Sequence, residues 1–245
     1  MPTYFIAGAN RGIGYSYVKL LSADPSNLVI ATVRNHHDQS LQDLKRPNLK
    51  VVHVDMTDPY ATFVEAFRPI EKWAPDGVDV MIHNAAVIGS PLFVPIEQYD
   101  VDKYPHLLSV NVGGPAKTYK ALYPYIFKGK HPKRIVFISS LMGQFGLSMH
   151  ANAYGAAKAG LNHLGVQIAG QNATADNQLI RESVTVLVHP GEVDTDGAAE
   201  GKTLLAPDQF ITPDHSASET LKLVDRLTVA DSGKFFVYNG QEIPF

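Results

Sequence analysis

Seven short runs rich in β-branched and aromatic residues recur along the chain: "TYFIAG" (3–8), "NLVIATV" (27–33), "LKVVHV" (49–54), "VDVMIH" (78–83), "KRIVFIS" (133–139), "SVTVLVH" (183–189) and "GKFFVY" (233–238). Their centres are apolar almost without interruption, where a half-solvated strand would alternate. That pattern suits a parallel sheet covered on both faces. Parallel neighbours need long crossovers, and the stretches between the runs show helical periodicity at 12–22, 59–73, 104–127, 152–172 and 214–227. Thr212 and Pro213 supply N-cap and first-turn signals for the last of these. Alternating strand and helix predicts an α/β chain with a doubly wound parallel sheet of about seven strands. A length of 245 residues, 45% of them hydrophobic, fits one such domain. Residues 190–212 follow the sixth run and show no clear periodicity. Ligands of open parallel sheets sit beyond the carboxyl ends of the strands, so 192–212 is expected to form a substrate lid.

Composition removes several classes of function. The chain has no cysteine, which rules out a disulfide framework and thiolate metal sites, and its ten histidines show no HExxH spacing, so no metal is expected. A formal net charge of -3 gives no overall attraction to nucleic acid or to an anionic membrane. No apolar run approaches the ~18 residues of a membrane span, and "MPTYFIAGAN" lacks the pattern of a signal peptide. A soluble cytoplasmic protein with a small-molecule partner is the expectation.

The first run leads directly into "AGANRGIG", with Gly8, Gly12 and Gly14 spaced Gly-x-x-x-Gly-x-Gly rather than as the Gly-x-Gly-x-x-Gly dinucleotide fingerprint. Glycines here permit a tight turn and let backbone amides approach a pyrophosphate at the positive end of the next helix. Alone the loop is a turn; its place between the first strand and first helix favours nucleotide binding. An acid at the end of the second strand bonds a ribose 2′-hydroxyl, whereas a base accommodates a 2′-phosphate. "ATVRN" puts Arg34 at that place, and Arg11 of the glycine loop is positioned to join it, which favours NADP over NAD. Both arginines also fit an ordinary solvated surface. Asp55 in "VDMTD" suits an adenine amine and Asn84 in "HNAAV" a cofactor-facing loop, although each equally suits a cap or turn.

Tyr154 and Lys158 in "ANAYGAAKAG" are four apart, so on a helix they share a face. A lysine charge beside a phenol lowers a pKa that starts near ~10, which brings the tyrosine towards acid/base work near neutrality. The competing reading is a tyrosine packed over small neighbours with its lysine in solvent. Upstream, "IVFISSLMG" delivers Ser139 and Ser140 at the end of the fifth run. A hydroxyl there can donate to a substrate oxygen as charge develops on it. His150 and His163 lie near the motif in sequence, but lone histidines are most often surface or capping residues.

The glycine loop, Asn84, Ser140, Tyr154 and Lys158, in this order and on these elements, resemble the short-chain dehydrogenase/reductase superfamily over essentially the whole chain. "ANRGIG", "ATVRN", "NVGGP", "HPGEVDTD" and "DSGKFFVYNGQEIPF" are most similar to fungal ketoreductases of the norsolorinic acid type and their carbonyl-reductase relatives. The resemblance implies a Rossmann-type fold and NADPH-dependent reduction of a ketone or aldehyde. Tyr154 would be the proton donor, Ser140 would hold the carbonyl, and Lys158 would bond the nicotinamide ribose and lower the tyrosine pKa. Asn111 would hold a water in the proton relay. Gly8, Asn10, Arg11, Gly12, Ile13, Gly14, Arg34, Asp55, Met56, Asn84, Ala85 and Ala86 would line the nucleotide, with Tyr154 and Lys158. Pro190, Gly191, Val193 and Thr195 would surround the nicotinamide.

Departures from the family pattern are Ala7 in place of threonine, Ala86 in place of glycine, and fourteen rather than thirteen positions between Ser140 and Tyr154, which keeps Ser139 as a lesser candidate. The polar stretch "QNATADNQLI" (171–180) is longer than the pattern expects and receives no role. "GAAEGKTLLAPDQF" (197–210) has few fixed charges and suits a hydrophobic, aromatic substrate, as in secondary metabolism. The same fold also serves NADP-binding sensors or scaffolds without turnover and non-redox isomerases or cyclases. "GAAKAGLNHLG" (155–165) permits close helix packing, either against the sheet or between subunits, and the resemblance implies pairing through this helix and the preceding long one, so a homodimer or homotetramer is expected.

Overall fold

In a computed structural model that describes residues 1–130, 132–148, 150–203 and 205–245, all seven apolar runs are strands of one sheet. In chain order the elements are β1 (Thr3–Ala7), α1 (Gly12–Ser22), β2 (Leu28–Val33), β3 (Leu49–His53), α2 (Tyr60–Phe67), α3 (Ile70–Trp73), β4 (Val80–His83), α4 (Tyr104–Leu108) and α5 (Gly114–Ile126). There follow β5 (Arg134–Ile138), α6 (Asn152–Ala173), α7 (Gln178–Arg181), β6 (Val184–His189), α8 (Pro213–Arg226), β7 (Phe235–Val237) and β8 (Glu242–Ile243). The sheet order is β3-β2-β1-β4-β5-β6-β7-β8, parallel throughout except for the antiparallel β7–β8 pair. The two-residue β8 adds to the seven strands expected; it turns back through Gly240 at φ +87° and is too short to show a period.

Successive residues of a strand face opposite sides, and the continuous apolar runs therefore feed two cores. On one side Phe5, Ile30, Met81 and Phe137 meet Phe63 and Phe67 of α2, Leu122 of α5 and Leu161 of α6. On the other, Ile6, Val29, Ile82 and Val186 meet Tyr17 and Val18 of α1 and Ala217 and Val224 of α8. The strand order reverses between β1 and β4, which opens a crevice at their carboxyl ends.

Two expected helices are interrupted, in each case at a proline. The segment expected over 59–73 divides into α2 and α3 because Pro69 has no N–H to continue the ladder. The one over 104–127 divides into α4 and α5 around a π-helical turn, Ser109–Gly113. Pro115 has no N–H to offer the carbonyl of Asn111, so the α-helical ladder cannot run through, and the wider turn takes up the shift. The 171–180 stretch is structural: α6 ends in it, Asn177 Oδ1 accepts from Leu179 N–H at 2.9 Å to start α7, and Arg181 donates to the carbonyls of Ala175 and Asp176. Residues 192–212 contain three 3₁₀ turns, and a bridge between Val193 and Ile211 closes their base. Leu204, inside the expected lid, lies outside the described residues. Among the described residues no helix is long and apolar enough to cross a membrane.

Candidate active site

The crevice is built first from backbone. Gly8 at φ +76° follows β1, and a Cβ there would lie 2.5 Å from the Cα of Ala85. At Gly14, in the first turn of α1, a Cβ would stand 2.0 Å from the Gly8 carbonyl oxygen. No side chain fits at either place, so the glycine loop, the start of α1 and the chain after β4 press together. Asn84 Nδ2 donates to the Gly8 carbonyl at 2.9 Å, and the Gly8 N–H donates to Thr32 Oγ1 at 3.0 Å. No side chain caps α1 at Arg11, which leaves the first N–H groups of α1 directed at the crevice. A diphosphate fits such a cradle, with Asn10, Gly12 and Ile13 on its rim.

Arg34 and Arg11 are both exposed but turn to different partners. Arg34 Nε is 3.9 Å from Asp55 Oδ2, and Arg11 pairs with Asp196 at 3.2 Å. Asp55 is also engaged by the backbone and hydroxyl of Thr57, at 2.8 and 2.7 Å. Burial pushes its carboxyl up, but the Thr57 hydrogen bonds and Arg34 together leave it below its ordinary value. Met56 is buried, with its side chain where a Cβ on Gly114 would come within 2.8 Å. Its side chain serves α5, and its carbonyl accepts from Lys117 Nζ at 2.6 Å. Ala85 packs on Gly8 and Ala86 is exposed beside it.

Beyond β5 the two serines face opposite ways. Ser139 is buried and donates to Asn162 Oδ1 of α6, a structural tie. Ser140 Oγ accepts from the Met142 N–H at 3.2 Å, and its hydroxyl is near enough to Tyr154 to favour that phenol's ionised form. The small residues explain the approach: a Cβ at Gly155 would be 2.8 Å from the Met142 carbonyl oxygen, and one at Gly143 2.8 Å from the Lys158 carbonyl carbon. The loop after β5 therefore sits directly on the first turns of α6 and carries the additional residue between Ser140 and Tyr154. Gly160 and Gly165 are likewise used inside the chain, against Val112 and Leu187. His163 is exposed on α6, and His150 is exposed just before it at φ +54°.

Lys158 is 2% exposed; its Nζ donates to the Ile138 carbonyl at 2.8 Å and lies 5.6 Å from the centre of the Tyr154 ring. The pair does share a face of α6, but the expected lowering of the phenol pKa is reversed. Burial pushes Tyr154 up, Ser140 opposes this, and the carboxylate of Glu192 adds to it. Burial also brings Lys158 down to about 7. Desolvation outweighs the charge that two residues in water would exchange.

Asn111 lies in the π-helical turn, 1% exposed, and clamps the backbone of Val87: its Oδ1 accepts from the N–H at 3.0 Å and its Nδ2 donates to the carbonyl at 2.7 Å. Its side chain is thereby committed to holding the loop after β4. After β6, Pro190 accepts from Ser216 Oγ at 2.6 Å, and Gly191 takes φ +85° with Tyr238 and Ile211 within 2.9 Å of where a Cβ would be. Val193 is buried on the bridge to Ile211, and the methyl of Thr195 lies 3.2 Å from the Cβ position of Gly12. The segment after β6 thus folds back over the glycine loop.

Three contributors escaped the sequence reading. Thr32 was one polar residue in an apolar strand, and its hydroxyl takes the Gly8 amide. Glu200 anchors the segment after β6 by accepting from the Leu92 N–H at 2.6 Å. Glu192 stands beside Tyr154 and His189. An acid within a stretch of small residues was the available signal for the last two.

The architecture recurs in known proteins. The chain superposes on the NADPH-bound carbonyl reductase from chicken fatty liver with a TM-score of 0.85, at 26% identity and covering 100% of this chain and 99% of that one. Against the carbonyl reductase Sniffer of D. melanogaster the TM-score is 0.86 at 23% identity, covering 100% of both chains, which shows a common fold. In sequence it is 37% identical to an uncharacterized oxidoreductase of Schizosaccharomyces pombe over 99% of this chain and 97% of that protein. It is 32% identical to the short-chain dehydrogenase srdF of Neurospora crassa over 98% and 96% of the two. Residues 2–203 match the family model described as short chain dehydrogenase, a span that runs from β1 past Tyr154 and Lys158 into the segment after β6. With the glycine cradle, Ser140 and Tyr154 on the same span, the chain belongs to the short-chain dehydrogenase family of oxidoreductases.

Proposed function

We propose that the protein is an NADPH-dependent reductase of ketones or aldehydes in which Tyr154 donates the proton. The observation that carries this reading is the buried Lys158 under the Tyr154 ring, tied to the carboxyl end of β5 where Ser140 follows. Bound in that cradle, a reduced nicotinamide nucleotide supplies the hydride that the carbonyl carbon receives. Ser140 donates to the carbonyl oxygen as negative charge grows there. Tyr154, kept protonated by its burial, gives its proton to the same oxygen. Lys158 lies under the ring and stabilises the phenolate that remains. Asn111 keeps the loop after β4 in place through Val87, and Pro190, Gly191, Val193 and Thr195 close the nicotinamide side.

NADPH is favoured over NADH by two exposed guanidinium groups, Arg34 and Arg11, whose acidic partners among the described residues, Asp55 and Asp196, are held at 3.9 and 3.2 Å at the surface, where such pairs are weak. A 2′-phosphate offers both a doubly charged partner. Residues 192–212 act as the lid. Leu108 on α4 and Tyr123 on α5, each 40% exposed, are apolar surface that supports association of copies of the chain.

The test is NADPH oxidation against aromatic ketones, diketones and quinones, with NADH and Tyr154→Phe in parallel. Turnover that prefers NADPH and falls by about 10²-fold or more in the variant is the expected result. Tight NADPH binding without reduction of any carbonyl overturns the reading in favour of a cofactor-sensing role.

A further inference from the structure

Glu192 is held more firmly than an exposed acid on a lid. On one side Gly191 is crowded by Tyr238 and Ile211, and on the other Val193 is buried and bridged to Ile211. The carbonyl of Glu192 itself accepts from the Ile211 N–H at 2.8 Å. With the backbone locked on both sides, the side chain is held near enough to Tyr154 for its charge to oppose ionisation of the phenol. The side chain is 41% exposed and burial pushes its carboxyl above the ordinary value.

Among the described residues this carboxyl makes no hydrogen bond and no pair with a lysine or arginine; the nearest basic group is His189 Nε2, at 4.0 Å, too far for a hydrogen bond. His189 is nearly buried, and burial lowers its pKa to about 4, so the imidazole is neutral and brings no compensating charge. Three other acids of this segment are occupied, Asp194 by Lys202, Asp196 by Arg11 and Glu200 by the Leu92 amide, and Asp208 is exposed to solvent. With neither a hydrogen bond nor a cationic partner among the described residues, the carboxyl is free to accept from a group on a substrate that approaches Tyr154.

We infer that Glu192 is the specificity-determining residue of the substrate pocket, accepting a hydrogen bond from a hydroxyl or ammonium group carried near the reacting carbonyl and repelling substrates that carry a carboxylate there. This rests on the proposed reading of Tyr154 as the proton donor. The preferred substrate class is then a hydroxylated or amino-substituted carbonyl compound with an apolar body.

The experiment compares kcat/KM for acetophenone with its three ring-hydroxylated isomers, its aminomethyl derivatives and its ring carboxylates, using wild type, Glu192→Gln and Glu192→Leu. NADPH fluorescence on binding reports that each variant is folded. In wild type the best hydroxylated isomer is expected to exceed acetophenone by about 10-fold or more, and the carboxylates to fall below it by a similar factor. In Glu192→Leu the ratios should collapse to about 1. Glu192→Gln keeps an acceptor without charge, so it retains the hydroxyl preference and loses the ammonium preference, separating the two sources of the donor. Turnover of acetophenone with ratios near 1 in wild type, or ratios that survive in Glu192→Leu, overturns the inference. If wild type reduces none of these carbonyls the proposed function fails first. Calorimetric titration of the same compounds into NADPH-saturated protein then decides on Glu192 by the same ratios of affinity.

Discussion

Two lysines are buried in this protein at opposite ends of one strand, and they are treated differently. Lys133 precedes β5 at the amino end of the sheet and is 0% exposed; its Nζ donates to Asp79 at 2.9 Å and to the Val78 carbonyl at 3.2 Å. Asp79 in turn accepts from the Thr3 N–H at 2.9 Å, so the charge of Lys133 is answered by a carboxylate that is itself held in place. Lys158 lies at the carboxyl end, is 2% exposed, and has only the Ile138 carbonyl. Among the described residues no carboxylate pairs with it, and its pKa falls to about 7. One buried lysine is matched by a carboxylate and the other is not, in the place where the glycine cradle and Tyr154 converge. An unpaired buried cation is a poor way to stabilise a fold and a usual way to prepare a site.

The comparison breaks most visibly if Lys158 is replaced by methionine, which fills similar space without a charge. The expected loss in kcat is about 10²–10⁴-fold, the range of acid/base assistance, with no fall in melting temperature. A melting temperature that drops along with activity would put Lys158 in the same structural class as Lys133. Lys133→Met tests the other end. It leaves the Asp79 carboxylate buried and unpaired, at a cost of about 3–5 kcal/mol. For a chain of this length that lowers the melting temperature by roughly 6–20 °C. Turnover per folded molecule should stay near wild type, and Asp79→Leu combined with Lys133→Met should recover much of the loss.

Neighbouring serines sharpen the same contrast at closer range. Ser140→Ala removes a donor from the crevice and is expected to lower kcat by about 10²–10³-fold with little effect on stability. Ser139→Ala leaves Asn162 without its buried partner and should cost about 1–3 kcal/mol in urea unfolding while turnover per folded molecule is kept. Reversal of the two outcomes would mean that Ser139 faces the substrate.

How far each part could be read from sequence follows from what holds it. The cradle was legible because it is made of backbone: Gly8 and Gly14 tolerate no Cβ, and such a requirement leaves its mark at the residue concerned. The strands were legible because both faces are buried, which makes their runs continuous. Ser139 and Ser140 could not be separated, since they differ only in which side of the strand end they face, and that depends on Asn162, 23 positions away from Ser139. The π-helical turn at Asn111 was hidden inside an apparently continuous helix, although Pro115 marked it. The direction of the Tyr154 shift was misjudged because helical spacing reports proximity to Lys158 and says nothing of burial. Glu192 looked like any acid on a lid; its weight comes from the groups that fail to pair with it.

The smallest expected effect is the most direct measure of the difference between the two ends of the sheet. Lys158 titrates near 7 in the folded chain, against an ordinary value of 10.5. Below pH 7 both folded and unfolded chains hold the proton, and the cost of burying it is fully present. Between pH 7 and 10.5 the unfolded chain binds the proton and the folded chain does not, so stability rises with pH, by up to about 1.4 kcal/mol per unit from this group. Above pH 10 Tyr154, pushed up by burial, acts in the opposite direction, because the unfolded phenol ionises first. His83 and His189, lowered by burial to about 3 and about 4, weaken the fold below their ordinary value of 6.5 but do so equally in wild type and variant. The difference in unfolding free energy between Lys158→Met and wild type, followed by urea titration from pH 7 to 10, therefore isolates the lysine. The variant should be the more stable at pH 7, and the gap should narrow steadily towards pH 10. A gap independent of pH would mean that Lys158 keeps its proton throughout that range, and that a partner at the carboxyl end of the sheet answers its charge as Asp79 answers Lys133.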